Sequence, residues 1–318
     1  MQRAFVFPGQ GSQAVGMGRG LAEAFPAARL VFEEVDDALN QHLSKLMFEG
    51  PEDELTLTEN AQPALMAVSM AVVRVLEEEG GFQLPQQALY VAGHSLGEYS
   101  ALAAVQSLEI ADAARLLKRR GQAMQSAVPV GEGAMAALLG LDLPAAQEVA
   151  EEATTTPEGE KEVCTAANDN APGQVVVSGK RSAVERAVTL AKERGARRAV
   201  MLPVSAPFHC PLMAPAAEAM REALGEVSLA PPLVPIVANV TAEPVREPER
   251  IRSLLVEQVT AMVRWRESVL RMKQEGVEQL VELGAGKVLS GLTRRIDREL
   301  SAVSVNEPDD IESFLKSL

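Results

Sequence analysis

The chain has 318 residues, 47% hydrophobic and 23% charged, a composition ordinary for a globular protein with a full core. Its 30 Lys and Arg face 44 Asp and Glu, and the net charge of -14 makes nucleic acid a poor partner. No apolar run reaches membrane-spanning length, no charged leader with an apolar run marks a signal peptide, and Cys164 and Cys210 fit no metal or disulfide spacing, so no membrane association, no metal and a cytoplasmic location are expected.

Residues 4–7 read as a buried strand ended by Pro8, and Gly9-Gln10-Gly11-Ser12-Gln13 follows as a loop. Gly9, Gly11 and Ala14 also fit a dinucleotide fingerprint, but that needs a second strand soon after, ending in an acid. Residues 21–46 read as helix instead, and Gly50-Pro51-Glu52-Asp53 as a polar turn. The loop can still offer a backbone N–H to a neighbouring site. Residues 58–76 read as a helix with an apolar face of Ala64, Val68, Ala71, Val72 and Val75.

Next comes the stretch that carries chemistry. Residues 88–92 are an apolar run of strand length, and residues 98–105 are helix formers. Between them stands Gly93-His94-Ser95-Leu96-Gly97, the Gly-x-Ser-x-Gly pattern of a nucleophile elbow. A serine on so sharp a strand-to-helix turn has its hydroxyl thrust outward, and Leu96, opening the helix, has a free N–H that can face an oxyanion. Residues 110–128 form another helix with the stripe Ala113, Leu116, Leu117, Met124 and Val128. Arg120 falls on that stripe, whereas Lys118 and Arg119 do not. An inward arginine needs an anionic partner. Two readings are open: an internal Asp or Glu, or a substrate carboxylate held bidentately.

After a linker at residues 129–133 the pattern changes to strand 134–141, helix 144–153, strand 161–167, polar turn 168–173, strand 174–178, helix 182–194 and strand 198–204. That order is βαββαβ, the ferredoxin-like arrangement. It predicts a small domain, residues 131–205, inserted into a larger one built from residues 1–130 and 206–318. The larger domain resumes with helix 215–224, strand 234–240, helices 249–260 and 267–275, strand 279–283, a helix from residue 288, an edge strand at 302–305 and a helix at 310–315. Alternating strands and helices predict an α/β core with a mostly parallel sheet covered on both faces. Asn239-Val240-Thr241 matches a glycosylation sequon, idle without secretion.

A serine hydroxyl needs a base within hydrogen-bond reach. Of the three histidines, His42 sits in a polar helical stretch and His94 adjoins Ser95, where its side chain must point away. By elimination His209 is the base, in a proline-bracketed loop far along the chain. No Asp or Glu stands out as a third triad member, so another group, such as a backbone carbonyl, is left to orient His209.

Taken together the motifs resemble the malonyl-CoA:acyl-carrier-protein transacylases of type II fatty acid synthesis. The resemblance covers essentially the whole chain. It is carried by Phe7-Pro8-Gly9-Gln10-Gly11-Ser12-Gln13, Gly93-His94-Ser95-Leu96-Gly97-Glu98-Tyr99, Arg120-Gly121 with Met124-Gln125, residues 168–174, and Phe208-His209-Cys210-Pro211-Leu212-Met213. Gln258, Val263-Arg264-Trp265 and Gly286-Lys287-Val288-Leu289 add to it. The resemblance implies an α/β-hydrolase-like core with the site in the cleft beneath the ferredoxin-like insert. It implies Ser95 as acylated nucleophile, His209 as general base, the N–H groups of Gln10 and Leu96 as oxyanion hole, and Arg120 as clamp for the malonyl carboxylate. A backbone carbonyl at Gln258 would orient the histidine, and Phe208 resembles the malonyl-selective form of its loop. Ala285 departs from the proline common in relatives. The substrates implied are malonyl-CoA and acyl carrier protein, with no cofactor and a monomeric state. An acidic carrier would need a local basic patch, for which Arg194, Arg197, Arg198 and Lys287 are the candidates. Two rival readings are a serine hydrolase or thioesterase that gives the acyl group to water, and a non-catalytic carrier-binding subunit.

Overall fold

The computed structural model of the chain describes residues 1–204 and 206–318; residue 205, the last of the predicted insert, lies outside the described residues. Strand β1 (Arg3–Phe7) is followed by helices α1 (Arg19–Ala24), α2 (Pro26–Leu39), α3 (Leu43–Glu49), α4 (Glu52–Thr56), α5 (Thr58–Gly80) and α6 (Leu84–Gln87). Then come β2 (Ala88–Gly93), α7 (Gly97–Ala104) and α8 (Ile110–Ser126). A second group comprises β3 (Gly133–Leu139), α9 (Leu143–Ala153), β4 (Cys164–Ala171), β5 (Gln174–Lys180), α10 (Arg181–Glu193) and β6 (Arg198–Met201). The chain closes with α11 (Ala214–Gly225), β7 (Ile236–Val237), β8 (Pro244–Val245), α12 (Pro248–Gln258), α13 (Trp265–Gln274), β9 (Gln279–Leu283), α14 (Val288–Ile296), β10 (Ser301–Val305) and α15 (Pro308–Lys316).

Two sheets result. The larger runs β10-β9-β1-β2-β7-β8 and is parallel except for β8. The smaller runs β4-β5-β3-β6 and is antiparallel throughout. The fold is thus an α/β core with a mostly parallel sheet and a small antiparallel domain drawn from the middle of the chain. Helix α5 is not one-faced: from Asn60 to Val73 every residue is buried, because α2 and α8 pack beside it and the sheet lies beneath.

Several predicted elements need correction. The single helix over 21–46 is three. Phe25 is extended ahead of Pro26, which starts α2, and Asn40 at φ 47° ends it in the left-handed conformation. The turn at 50–53 is partly helix α4, whose first turn carries Glu52, Asp53 and Glu54, the charge a helix N-terminus favours. The polar turn at 168–173 is mostly strand. Its backbone bonds to β5 on one side and to Val263 of the core on the other, with Asp169 N–H on Val263 O at 3.0 Å and Val263 N–H on Ala167 O at 2.8 Å. Only Pro172 and Gly173 make the turn. The strand over 234–240 shrinks to β7, and the strand over 198–204 ends at Met201.

Candidate active site

Strand β2 runs in register with β1, pairing Phe7 with Gly93, and the His94 N–H then donates to Phe7 O at 3.1 Å. The chain turns so sharply here that a Cβ on Gly93 would sit 1.9 Å from the carbonyl carbon of Gly97, and one on Gly97 would sit 2.3 Å from Phe7 O. Both positions therefore require glycine. Ser95 itself is held at φ 52°, a strained conformation for a non-glycine residue that aims its hydroxyl off the sheet's end.

What the hydroxyl meets is His209, with Ser95 Oγ and His209 Nε2 2.8 Å apart. The other ring nitrogen, Nδ1, lies 2.8 Å from the backbone carbonyl of Gln258. A carbonyl only accepts, so Nδ1 carries the proton and Nε2 presents its lone pair to Ser95. His209 also has a positive φ, 56°, and is 4% exposed. Burial, and next the positive charge of Arg120, pull its pKa down to about 3. The imidazole is neutral at working pH and free to accept a proton.

Arg120 completes the cluster. It reaches the site from α8 because Gly121 lets that helix press against α5: a Cβ there would lie 2.5 Å from Glu59 Cα. The guanidinium is 1% exposed. It donates to Gln62 Oε1 at 2.8 Å, to Gln258 Oε1 at 2.7 Å and to Ser95 Oγ at 3.1 Å. Its Nε has no hydrogen-bond partner among the described residues. Every acceptor is neutral. Of the two readings the sequence left open, an internal Asp or Glu is not realised: no carboxylate among the described residues forms an ion pair with it. Nor do the described residues group three or more His, Cys, Asp or Glu in a way that could hold a metal ion.

A half-buried serine paired with a buried imidazole, beside an arginine whose hydrogen-bond partners are all neutral, is equipment for acyl transfer, and comparison with known proteins agrees. The Acyl transferase domain family matches residues 4–305. This chain belongs to the acyl transferase family. It is 46% identical over 315 residues, 99% of its length and 96% of the other, to the malonyl CoA-acyl carrier protein transacylase of Bacillus subtilis. The crystal structure of an acyl-carrier-protein-S-malonyltransferase from Bartonella henselae matches with a TM-score of 0.96 and 56% identity, covering 100% of this chain and 99% of that one. A malonyl-transacylase solved in complex with a type II PKS acyl-carrier protein matches at a TM-score of 0.95 and 42% identity, covering 100% of both chains.

Around the acyl transferase triplet lie the remaining candidates. The backbone N–H of Leu96 stands at the start of α7, and Gln10 sits on the loop after β1. Neither N–H has an acceptor within the described residues, so both are free to meet an oxyanion. The Gln10 side chain instead ties its loop to α5, through Thr58 Oγ1 at 3.2 Å. Phe208, 9% exposed, directly precedes His209. Gln258 supplies more than a carbonyl. Its amide is fully buried and bonds to Arg120 and to Ser95 O, so it acts as internal scaffolding. His94 points away from Ser95, as its position requires, and binds Asn170 of β4 at 2.8 Å.

Two residues escape the sequence reading. Asn239, noted only as an idle sequon, fixes the elbow from behind: its Oδ1 accepts from Ser95 N–H at 2.8 Å and its Nδ2 donates to Gly93 O at 2.7 Å. Glu98, 2% exposed, accepts from Asn239 N–H at 2.7 Å and from the Gln258 amide. A polar residue within an apolar strand-like run, and a carboxylate in the first turn after the elbow, were the available signals. The basic patch is rearranged too. Arg194 is engaged by Glu148 and Glu152. Arg198, Leu139 and Gln174 form one row across β6, β3 and β5, and Gln174 Oε1 accepts from Arg295 at 2.9 Å. That row leads to α14 and its flanks, where the exposed Lys287, Arg294, Arg295 and Arg298 form no ion pair among the described residues. No helix among the described residues is long and apolar enough to cross a membrane.

Proposed function

We propose that the chain moves a malonyl group from malonyl-CoA to the phosphopantetheine thiol of an acyl carrier protein, through a malonyl ester on Ser95. The observation that carries this reading is Arg120: a buried cation 3.1 Å from Ser95 Oγ whose partners are all neutral. Glu98 reaches that charge only through the Gln258 amide, so direct contact with a carboxylate is left for an acyl group that brings its own. The names of the relatives, malonyl transacylases from several organisms, support the same substrate.

In the first half-reaction Ser95 Oγ attacks the thioester carbonyl carbon and its proton passes to His209 Nε2. The carbonyl oxygen becomes an oxyanion facing the N–H groups of Gln10 and Leu96, each such donor worth about 3 kcal/mol. The C–S bond then breaks, and the CoA sulfur leaves as a thiol with the proton from His209. The second half-reaction runs the same steps in reverse order, with the carrier thiol giving its proton to His209, attacking the ester and releasing Ser95. The Gln258 carbonyl keeps the imidazole in one tautomer throughout. No step calls for a cofactor. Residues 1–130 and 206–318 act as the catalytic core, residues 131–205 as the wall opposite, and Phe208 shapes the acyl end of the cleft.

For the carrier protein, the docking surface we favour combines Arg197 and Arg198 with Lys287 and the unpaired arginines of α14. Arg194 is excluded by its ion pairs. These cations lie on an otherwise acidic chain, and Lys287 borders the Gln10 loop, since the neighbouring Gly286 approaches Ser12. The solved carrier complex of a relative supports a carrier as partner. We take the protein to work as a monomer in the cytoplasm, where the buried free thiols of Cys164 and Cys210 remain reduced.

The deciding experiment is intact-protein mass spectrometry after brief mixing with malonyl-CoA, with Ser95→Ala and acetyl-CoA as controls. A malonyl adduct that is absent in Ser95→Ala and discharged by a carrier protein is the expected result. Free malonate released at the rate of loading would mean a hydrolase. No adduct and no malonate would mean a different acyl donor or a binding role.

A further inference from the structure

Glu98 has no assignment in the chemistry above, yet it is a fully buried carboxylate directly behind the nucleophile. An apolar wall of Ile236, Val245, Ile251 and Leu254 backs it. Both of its oxygens are occupied by donors: Oε1 by the Asn239 N–H at 2.7 Å, and Oε2 by Nε2 of Gln258. Among the described residues neither oxygen faces an acceptor that a carboxylic acid proton could use, so the hydrogen bonding fits the ionised form. Burial opposes that form and pushes the pKa up to about 7, with the two hydrogen bonds and then Arg120 pulling it back.

The consequence falls on Gln258. A glutamine amide can sit either way round, and its surroundings decide which. Here Nε2 faces Glu98 Oε2, Ser95 O at 3.0 Å and Asn239 Oδ1 at 3.2 Å, all acceptors. Oε1 must then face Arg120, which it meets at 2.7 Å. The amide is a bridge between a buried anion and a buried cation. If it turned over, its NH2 would confront the guanidinium, donor against donor, and Arg120 would lose one of its two amide supports.

We infer that Glu98 is a positioning residue for acyl-group selection: by fixing the Gln258 amide it holds Arg120 in the pose that receives the malonyl carboxylate. The inference rests on the clamp reading of Arg120. Replacement by glutamine keeps size but turns one oxygen into a donor. That donor then opposes either the Asn239 N–H or the Gln258 NH2, and the bridge fails.

The test compares loading of Ser95 from malonyl-CoA and from acetyl-CoA in Glu98→Gln, Glu98→Asp and Arg120→Ala, with thermal unfolding of each variant. Glu98→Gln is expected to lower malonyl kcat/KM at least about tenfold more than acetyl kcat/KM, with malonyl KM moving more than kcat. A merely structural role would depress both acyl groups by the same factor, and that result overturns the inference. Should Glu98→Gln not fold, Glu98→Asp serves, since it keeps the charge but withdraws it by one methylene: a fall in malonyl preference supports the inference and an unchanged ratio overturns it. Arg120→Ala separates the two claims. If it leaves the malonyl-to-acetyl ratio intact, the clamp fails and this inference with it. If it collapses the ratio while the Glu98 variants do not, only this inference falls.

Discussion

Replacing Arg120 by alanine tests the acyl-group reading most directly. The guanidinium is buried, and Gln62 and Gln258 each take one of its N–H groups. A third now rests on Ser95 Oγ, whose hydroxyl is consumed when the serine is acylated. The remainder can meet a carboxylate. A hydrogen bond to a charged group contributes about 1.5–3 kcal/mol, so a two-point contact contributes about 3–6 kcal/mol. At about 1.4 kcal/mol per tenfold, Arg120→Ala should lower malonyl kcat/KM by about 10²- to 10⁴-fold. Acetyl-CoA has no carboxylate to lose. Its loading forfeits the bond to Ser95 Oγ, but the imidazole of His209 gains basicity once the neighbouring positive charge is gone. Those two effects oppose each other, and acetyl loading should change less than about tenfold. Rapid-quench mixing followed by intact mass, run with both donors across a concentration series, reads the two constants. Equal losses for the two acyl groups would refute the reasoning, as would a malonyl loss below about tenfold.

Three further outcomes follow from the same geometry. Asn239→Ala strands the Ser95 N–H and the Gly93 carbonyl without partners, at about 1–3 kcal/mol each; chemical denaturation should show that loss, and kcat should fall for malonyl and acetyl donors alike. His209 has a depressed pKa, so its contribution to stability is complete above the ordinary value of 6.5 and is lost as pH falls toward about 3, because the unfolded chain takes up the proton first. Relative to His209→Gln, the wild-type protein should therefore lose about 2 kcal/mol between pH 7.5 and 5, and a pH-independent difference would contradict the burial argument. Reversing Lys287, Arg294 and Arg295 to glutamate should raise the carrier-protein KM by about tenfold or more while loading from malonyl-CoA moves much less; an unchanged carrier KM would remove α14 from the docking surface.

The residues that were legible in the sequence share one property: their role is written in their immediate neighbours. Gly93 and Gly97 flank Ser95 at the spacing a tight turn needs, and the structure shows the clashes any side chain would cause there. Arg120 breaks an apolar stripe at helical spacing, which announces a buried charge before any partner is known. Edge strand β10 and the order of β3 to β6 follow from alternation of short apolar runs with helices. The errors also have a common cause. Residues 168–170 are polar and read as a turn, because nothing local reveals that Val263, nearly a hundred residues later, supplies the second set of backbone partners that makes them a strand.

The same limit explains why Asn239 and Glu98 escaped. Each is a buried polar residue whose partners come from distant segments: Ser95 and Gly93 for Asn239, and Asn239 and Gln258 for Glu98. Periodicity tells which face of an element is buried; it does not pair one buried polar group with another. Yet these are the residues a site of this kind depends on. An arginine, an imidazole and a carboxylate withdrawn from water together are tolerable only if most of their donors meet acceptors, and here the amides of Gln62, Gln258 and Asn239 do most of that matching. Removing one member leaves the others buried and unsatisfied. The network behind Ser95 should therefore respond to substitution as a unit, with double variants at Glu98 and Gln258 costing less than the sum of the singles.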